Sequence, residues 1–501
     1  MPSTLDFGQL SETHPYTGLP TKENSAEYLY YICSTLVTSQ AKHGGWQERN
    51  SGYIPRCSKY LRKVHAQYNL LLDYMVEAGI LLTDGIFMEG IKCTGYKFAP
   101  KYDGVALKEV TINTYILNKG IRNQHNELIK HHKKQLTGYG YLLKWYDKHK
   151  LRIDKEGALK WVGKYEEHHL QEIIRAGGHK EEKKKKQLVN ICSSLKSQID
   201  RIYESSYDCT DFSVDEFGER LHGIFTYLMK ELRHFVTYDG QPLVSIDIKN
   251  SQPYFSTLLL DSDFWKSKKS QSNKIRLGQV APELYKVCMS DGITLSNSSK
   301  RLIQCGITAE QYKHLVEDGR LYEYLLEELP KRLNSVFLTK HGHRVAKRDS
   351  IKKEMLRIMY SRNNVTNREF YAPSKAFESL FPDVARTFRV IKKNDYKLLP
   401  KILQRVESHV VLKIICGRIA AEKPNLPIFT IHDSIVTTVG NEDYVKQVML
   451  SVLQEKVGAA PRLELQYWQP ESAYKDLPGI EKEYICFEDI EHENNIMEQK
   501  D

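Results

Sequence analysis

The stretch Leu243-Val244-Ser245-Ile246-Asp247-Ile248-Lys249-Asn250-Ser251-Gln252-Pro253 constrains this chain most. An apolar, β-branched run delivers one carboxylate, Asp247, at its end. The run predicts a buried strand, and the apolar segment after Pro253 predicts a helix. A second stretch has the same character. Pro427-Ile428-Phe429-Thr430-Ile431 and Ser434-Ile435-Val436-Thr437-Thr438-Val439 flank a polar His432-Asp433 break. Charge inside a buried run costs several kcal/mol or more unless it is paired or bound to metal. Two such strands, each offering an Asp, could hold a pair of divalent ions between them, as phosphoryl transfer requires. Either Asp alone is more readily explained as a turn or cap residue; the pair together points to metal.

With 501 residues the chain can bury the cores of two to four domains. No run of eighteen apolar residues is present, so no membrane span is expected. Met1-Pro2-Ser3-Thr4-Leu5-Asp6 lacks the basic and apolar regions of a signal peptide. The nine cysteines form no CxxC pair, which suits reduced thiols in a cytoplasm and argues against a zinc ribbon or disulfide scaffold. A net charge of +10 fits a polyanionic partner.

Residues 1–24 read as a flexible lead. Residues 25–103 read as a compact unit of helix, helix, strand and hairpin. A short basic helix starts at Ser58. A longer one over Tyr68–Ala78 ends at Gly79, and strands follow on both sides of Asp84-Gly85. That order resembles a winged helix-turn-helix. The resemblance implies nucleic-acid contacts from Lys59, Arg62 and Lys63, with Lys92 and Lys97 on or near the wing. A small support domain with a solvated basic face is the alternative. Residues 104–215 carry helical patterns and much charge. Lys180–Lys186 reads as a solvated helix face or loop. No set of four spaced acidic residues suggests a proofreading exonuclease. Residues 216–480 hold the candidate chemistry, and 481–501 form an acidic tail.

In that region Arg348, Lys352 and Tyr360 fall on one broad helical face. At about 100° per residue, Arg348 and Lys352 lie about 40° apart and Tyr360 about 80° further on. Two such cations can hold a triphosphate.

Four pieces now stand in one order. They are Arg220-Leu221 with Leu228 and Arg233, the Asp247 strand, Arg348-x3-Lys352-x7-Tyr360, and His432-Asp433. Together they resemble the palm and fingers of the family A polymerases, which join DNA polymerase I-type enzymes to phage-type single-subunit RNA polymerases. Gln404 and Glu407 lie on a helix before the last piece, as a template-contacting Gln does in that family. The resemblance covers about residues 215–470.

The resemblance implies an α+β right-hand polymerase: an antiparallel palm sheet with helical fingers, and a helical thumb near residues 105–215. It implies two magnesium ions, or manganese in their place, on Asp247, the Ile248 carbonyl and Asp433. Arg348 and Lys352 would hold phosphates, with Lys352 a general acid to pyrophosphate. Tyr360 would pack at the base pair, and Gln252 would screen the sugar. Arg220, Arg233, Gln404 and His432 would contact primer and template. Nucleic acid and nucleoside triphosphates are the implied partners. Gln252, Gln404 and the Arg220–Arg233 stretch resemble the DNA polymerases, whereas Ser434 and Leu356 resemble the RNA polymerases. Ser361 and Pro253 depart from the family pattern. The expectation is a DNA-directed DNA polymerase. The alternatives are a single-subunit RNA polymerase, or a non-catalytic DNA-binding protein with a degenerate palm.

Overall fold

The computed structural model describes residues 1–15, 25–42, 53–87, 93–102, 105, 108–178, 181–204, 207, 209–266, 273–293, 307–363 and 368–475. The chain divides into two compact units. One is Met1–Thr137 with Lys155–Thr210; the other is Gly138–Asp154 with Asp211–Asp501.

The first unit opens with a helix, α1 (Phe7–Thr13), where a flexible lead is expected. Asp6 caps it by accepting from the Gly8 amide at 2.8 Å, and Leu5 and Phe7 are buried. Two apolar side chains anchor a segment whose composition reads as polar. Helix α2 (Ser25–Lys42) buries Leu29, Ile32, Cys33 and Leu36, one stripe at helical spacing. Strand β1 (Ile54–Pro55), helices α3 (Ser58–Val64) and α4 (Tyr68–Glu77), and strands β2 (Leu81–Thr83) and β3 (Gly95–Phe98) follow. The three strands form an antiparallel sheet in the order β1-β3-β2. Gly79 takes φ +63 directly after α4, a left-handed position that suits glycine. The long helix α5 is Tyr115–Gln135. Helices α6 (Lys155–Ala176) and α7 (Glu181–Glu204) pack on each other, with Trp161, Tyr165 and Ile173 facing a core that includes Leu188, Leu195 and Ile199. Lys185 pairs with Glu181 at 2.7 Å on a solvated face of α7, as the charge run predicts.

The second unit is built on an antiparallel sheet. Its strands are β4 (Leu151–Ile153), β7 (Val236–Tyr238), β8 (Gln241–Ile248), β9 (Ile428–Ile431), β10 (Ser434–Thr438) and β11 (Leu463–Tyr467). A separate hairpin pairs β5 (Ser213–Val214) with β6 (Leu221–His222). Strand β4 interrupts a stretch expected to be helical; its Leu151 and Ile153 are buried and alternate with Arg152. Three residues are too few for that alternation to be seen against helical neighbours. The sheet order is β4-β7-β8-β10-β9, with β11 also pairing β8. Asp239 (φ +53) and Gly240 (φ +74) turn β7 into β8. Burying Leu243, Val244, Ile246 and Ile248 on β8 contributes about 2 kcal/mol each.

Around the sheet lie α8 (Ser251–Ser256), α9 (Ile307–Glu317), α10 (Leu321–Arg332), α11 (Arg348–Tyr360), α12 (Arg368–Leu380), α13 (Pro382–Ile391), α14 (Leu398–Ser408) and α15 (Glu442–Val457). Helix α8 starts before Pro253 rather than after it. The proline sits in the first turn, where its missing N–H leaves no helical bond unmade. Helix α14 touches both α8 and α11, and runs on through a π-helical stretch, His409–Ile415. The tail at 481–501 lies outside the described residues.

Candidate active site

Three strands bring the site together. Asp247 closes β8. Ile435 of β10 pairs with Ile246, so Ser434 arrives beside Asp247. Ile431 pairs with Ser434, which leaves His432-Asp433 as a two-residue turn between β9 and β10. His432 takes φ +54 there, a left-handed conformation unusual for a residue with a Cβ. The Ser434 hydroxyl donates to Asp247 Oδ1. Glu464 of β11 stands opposite Asp247 in the register.

Electrostatics follow from this crowding. Burial is the largest influence raising the Asp247 carboxyl above its ordinary range. The Ser434 hydrogen bond and the Lys352 charge pull it back, while Glu464 and Glu407 push it up. Asp433 is raised further, by burial first, then by the charges of Asp247 and Glu407, with Arg220 opposing. Burial, helped by Arg220 among nearby cations, depresses the His432 imidazole to about 4, and its Nδ1 is buried without a hydrogen-bond partner. The side-chain amide of Asn250, three residues beyond Asp247, is also buried with both its oxygen and nitrogen unmatched. Two repelling carboxylates flanked by unsatisfied polar atoms fit a bound cation. Asp247 and Asp433 are the residues that could hold one, and Ile248 is buried at the end of the strand that carries Asp247.

Beside the two aspartates lies a buried hydrogen-bond network centred on Glu407, which is 1% exposed. Its Oε1 accepts from Arg220 Nε at 3.0 Å and from a second guanidinium nitrogen. Its Oε2 accepts from Ser251 Oγ and from Gln252 Nε2, the latter at 2.6 Å. The Tyr360 hydroxyl donates to Gln252 Oε1 at 2.9 Å, so both ends of the Gln252 amide are held. Gln404 is buried and also bonds the Tyr360 hydroxyl. Arg220 is delivered by the β5–β6 hairpin, where Asp215 accepts from the Arg220 amide at 2.8 Å. Burial raises the Asp215 carboxyl, yet bonds from His222 and two backbone amides hold it at about 2.

The expected residues separate into groups. Asp247, Asp433, His432, Gln252, Tyr360, Arg220 and Gln404 come together. Lys352 is exposed on α11, close enough to Asp247 for its charge to lower that carboxyl. Arg348 instead pairs with Glu323 at 2.8 Å and lies over the Tyr322 ring. Tyr360 is buried, not displayed on an open face with the two cations: Ile351, Met355 and Met359 draw that side of α11 into the core. Arg233 Nε donates to the Leu228 carbonyl at 3.2 Å. In the first unit Arg62 is exposed, Lys63 pairs with Glu127, and Lys97 lies 4.1 Å from the centre of the Tyr53 ring. Lys92 and the side chain of Lys59 lie outside the described residues. Glu407 is the residue whose importance sequence reasoning missed. The signal was present: Gln404, Glu407 and Ser408 stand at i, i+3 and i+4, a polar stripe that is buried, unlike Lys401 and Arg405 on the same helix.

No protein-family model matches the chain, and no curated protein does. Among solved structures it is similar to the POL domain of Pol1 from M. smegmatis, in complex with DNA primer-template and dNTP. The identity is 10%, with 71% of this chain and 74% of that chain covered, and the TM-score is 0.29. A likeness of that size fixes no residue correspondence.

Proposed function

We propose that this chain is a template-directed nucleotidyltransferase of right-hand polymerase architecture, making DNA. The observation that carries the reading is the Asp247–Asp433 pair, two mutually repelling carboxylates, one near the end of β8 and one in the turn before β10, with Asp247 oriented by Ser434. Asp247, the Ile248 carbonyl and Asp433 would hold two magnesium ions, with manganese as a substitute. Such ions, when bound, stabilise charge on the transferring phosphoryl group and lower the pKa of the attacking hydroxyl.

The chain's own residues would do the rest. Lys352, exposed and electrostatically close to Asp247, would take a phosphate of the incoming triphosphate and pass a proton to the leaving pyrophosphate. Arg348 would join it on the phosphates after leaving Glu323. His432 would meet the primer end, with Arg220, Arg233 and Gln404 on the duplex. Gln252 would screen the sugar, and its fixed amide favours rejection of a 2′-hydroxyl, hence the preference for DNA over RNA synthesis. In the first unit, the α3–α4 helices and the β2–β3 hairpin would form a winged helix that contacts nucleic acid.

Purified protein is tested with primer–template, all eight nucleotides and magnesium or manganese. Extension is expected. Asp247→Ala and Asp433→Ala should each remove it while leaving the circular dichroism spectrum unchanged. Tight DNA binding without any product would instead point to a binding protein.

A further inference from the structure

A buried cation in the second unit, Lys392, lies outside the site just described. Lys392 is 6% exposed at the C-terminal end of α13. Its ammonium donates to the Ile358 carbonyl at 2.8 Å and to the Ser361 carbonyl at 2.9 Å. Ile358 lies in the last turn of α11 and Ser361 is the residue that caps it, where helix carbonyls lack partners of their own. Between them in sequence stands Tyr360, whose hydroxyl holds Gln252. A cation at a helix C-terminus is favoured by the macrodipole, but a buried one without a carboxylate is costly.

We propose that Lys392 is a positioning residue, a latch that fixes the last turn of α11 and through it the Tyr360–Gln252 contact. The charged and titratable groups that share its pocket are Glu354, Arg357, Arg362, Tyr371, Glu378 and Arg389. Glu354 is paired with Arg357, and Glu378 with Arg389. No histidine is among them. Burial, reinforced by the Arg389 charge, lowers the Lys392 amine to about 7. Opening of the turn would return the amine to water and to its ordinary, higher proton affinity. Opening is therefore favoured at low pH, and the latch tightens as pH rises through about 7. The neutral amine keeps two N–H donors for the two carbonyls.

Amide hydrogen exchange of the metal-free, full-length chain tests the latch without any nucleotide. Corrected for intrinsic rates, protection of residues 355–363 should increase between pH 6 and 8.5 in wild type, while that of α14 stays level. At pH 8 this segment should exchange about three- to tenfold faster in Lys392→Met, with no pH response left. Equal exchange in both proteins, or a pH response shared equally by α14, overturns the proposal. If Lys392→Met does not fold, the wild-type pH series decides alone.

The consequence for sugar selection rests on the proposed function. There, Lys392→Met should reduce the deoxy-to-ribonucleotide ratio of kcat/KM by more than it reduces deoxynucleotide kcat/KM. It should add nothing in a Gln252→Ala background. A responsive turn in a protein that extends no primer leaves the latch standing and removes the polymerase reading; extension with an unresponsive turn does the reverse.

Discussion

A carboxylate buried beside another carboxylate holds its proton more tightly than one in water. Asp433 is in that position, with Asp247 and Glu407 both acting on it. Its folded form holds a proton more tightly than its unfolded form. The stability this contributes is present below the ordinary carboxylate range and is lost as pH rises through the raised folded value. At neutral pH the metal-free protein thus carries a penalty that Asp433→Asn would relieve. The substitution should raise the melting temperature of metal-free protein at pH 7 by about 2–4 °C, equivalent to roughly 1 kcal/mol. If the proposed site holds, it should also abolish primer extension and the rise in melting temperature expected of wild type on adding magnesium. Scanning calorimetry at pH 5 and 7, with and without magnesium, checks this. A variant less stable than wild type at pH 7 would mean that Asp433 is a structural acid, held ionised by Arg220.

At the scale of elements, Gln252 is positioned by three helices at once. Helix α8 carries it in its first turn, α14 supplies Glu407 and α11 supplies Tyr360. If this rigid amide is what excludes a 2′-hydroxyl, Gln252→Ala should raise relative ribonucleotide kcat/KM by one to two orders of magnitude, roughly 1.4–2.7 kcal/mol in the transition state. Wild type that already prefers ribonucleotides, or an unchanged preference in the variant, would contradict the assignment. The strands beneath these helices were legible in the sequence, because β8, β9 and β10 are β-branched runs broken only where charge sits. The helix carrying Arg348 and Lys352 was also legible from spacing alone. The partners were not. Periodicity marks which side chains share a face, but nothing local says that Glu323 waits for Arg348 or that Glu407 collects four donors from residues far away in sequence. Helix α1 was missed for another reason: seven residues, about two turns, anchored by Leu5 and Phe7 are too few to show a period.

At the scale of the whole molecule, the chain visits the second unit for 138–154, returns to the first for 155–210, and then leaves it. In the proposed function the first unit supplies nucleic-acid contacts from α3. Arg62 is exposed there, whereas Lys63 is engaged with Glu127. If α3 lies on a phosphate backbone, Arg62→Ala should weaken duplex binding about three- to tenfold at moderate salt, equally for all sequences, and lower the salt slope by about 1. Fluorescence anisotropy at several salt concentrations reads both quantities. Asp247 and Asp433 are untouched by this change, so extension at saturating primer–template should persist. Loss of extension together with unaltered DNA affinity would contradict the division of labour.

Strand β8 has one further consequence, and it concerns the ribosome. Its first residues can pair with β7, which is made before it, but from Leu243 onward both edges stay open, since β10 and β11 begin only at Ser434 and Leu463. Roughly 200 residues must be translated in between, about 10–40 s at ordinary elongation rates. Throughout that interval Leu243-Val244-Ser245-Ile246 is an apolar strand without neighbours on those edges, the kind of segment that pairs with other nascent chains. Premature termination before residue 463 would make the exposure permanent. Truncated products should therefore be found with chaperones or in the insoluble fraction, and slow codons placed between 250 and 430 should lower the yield of soluble protein.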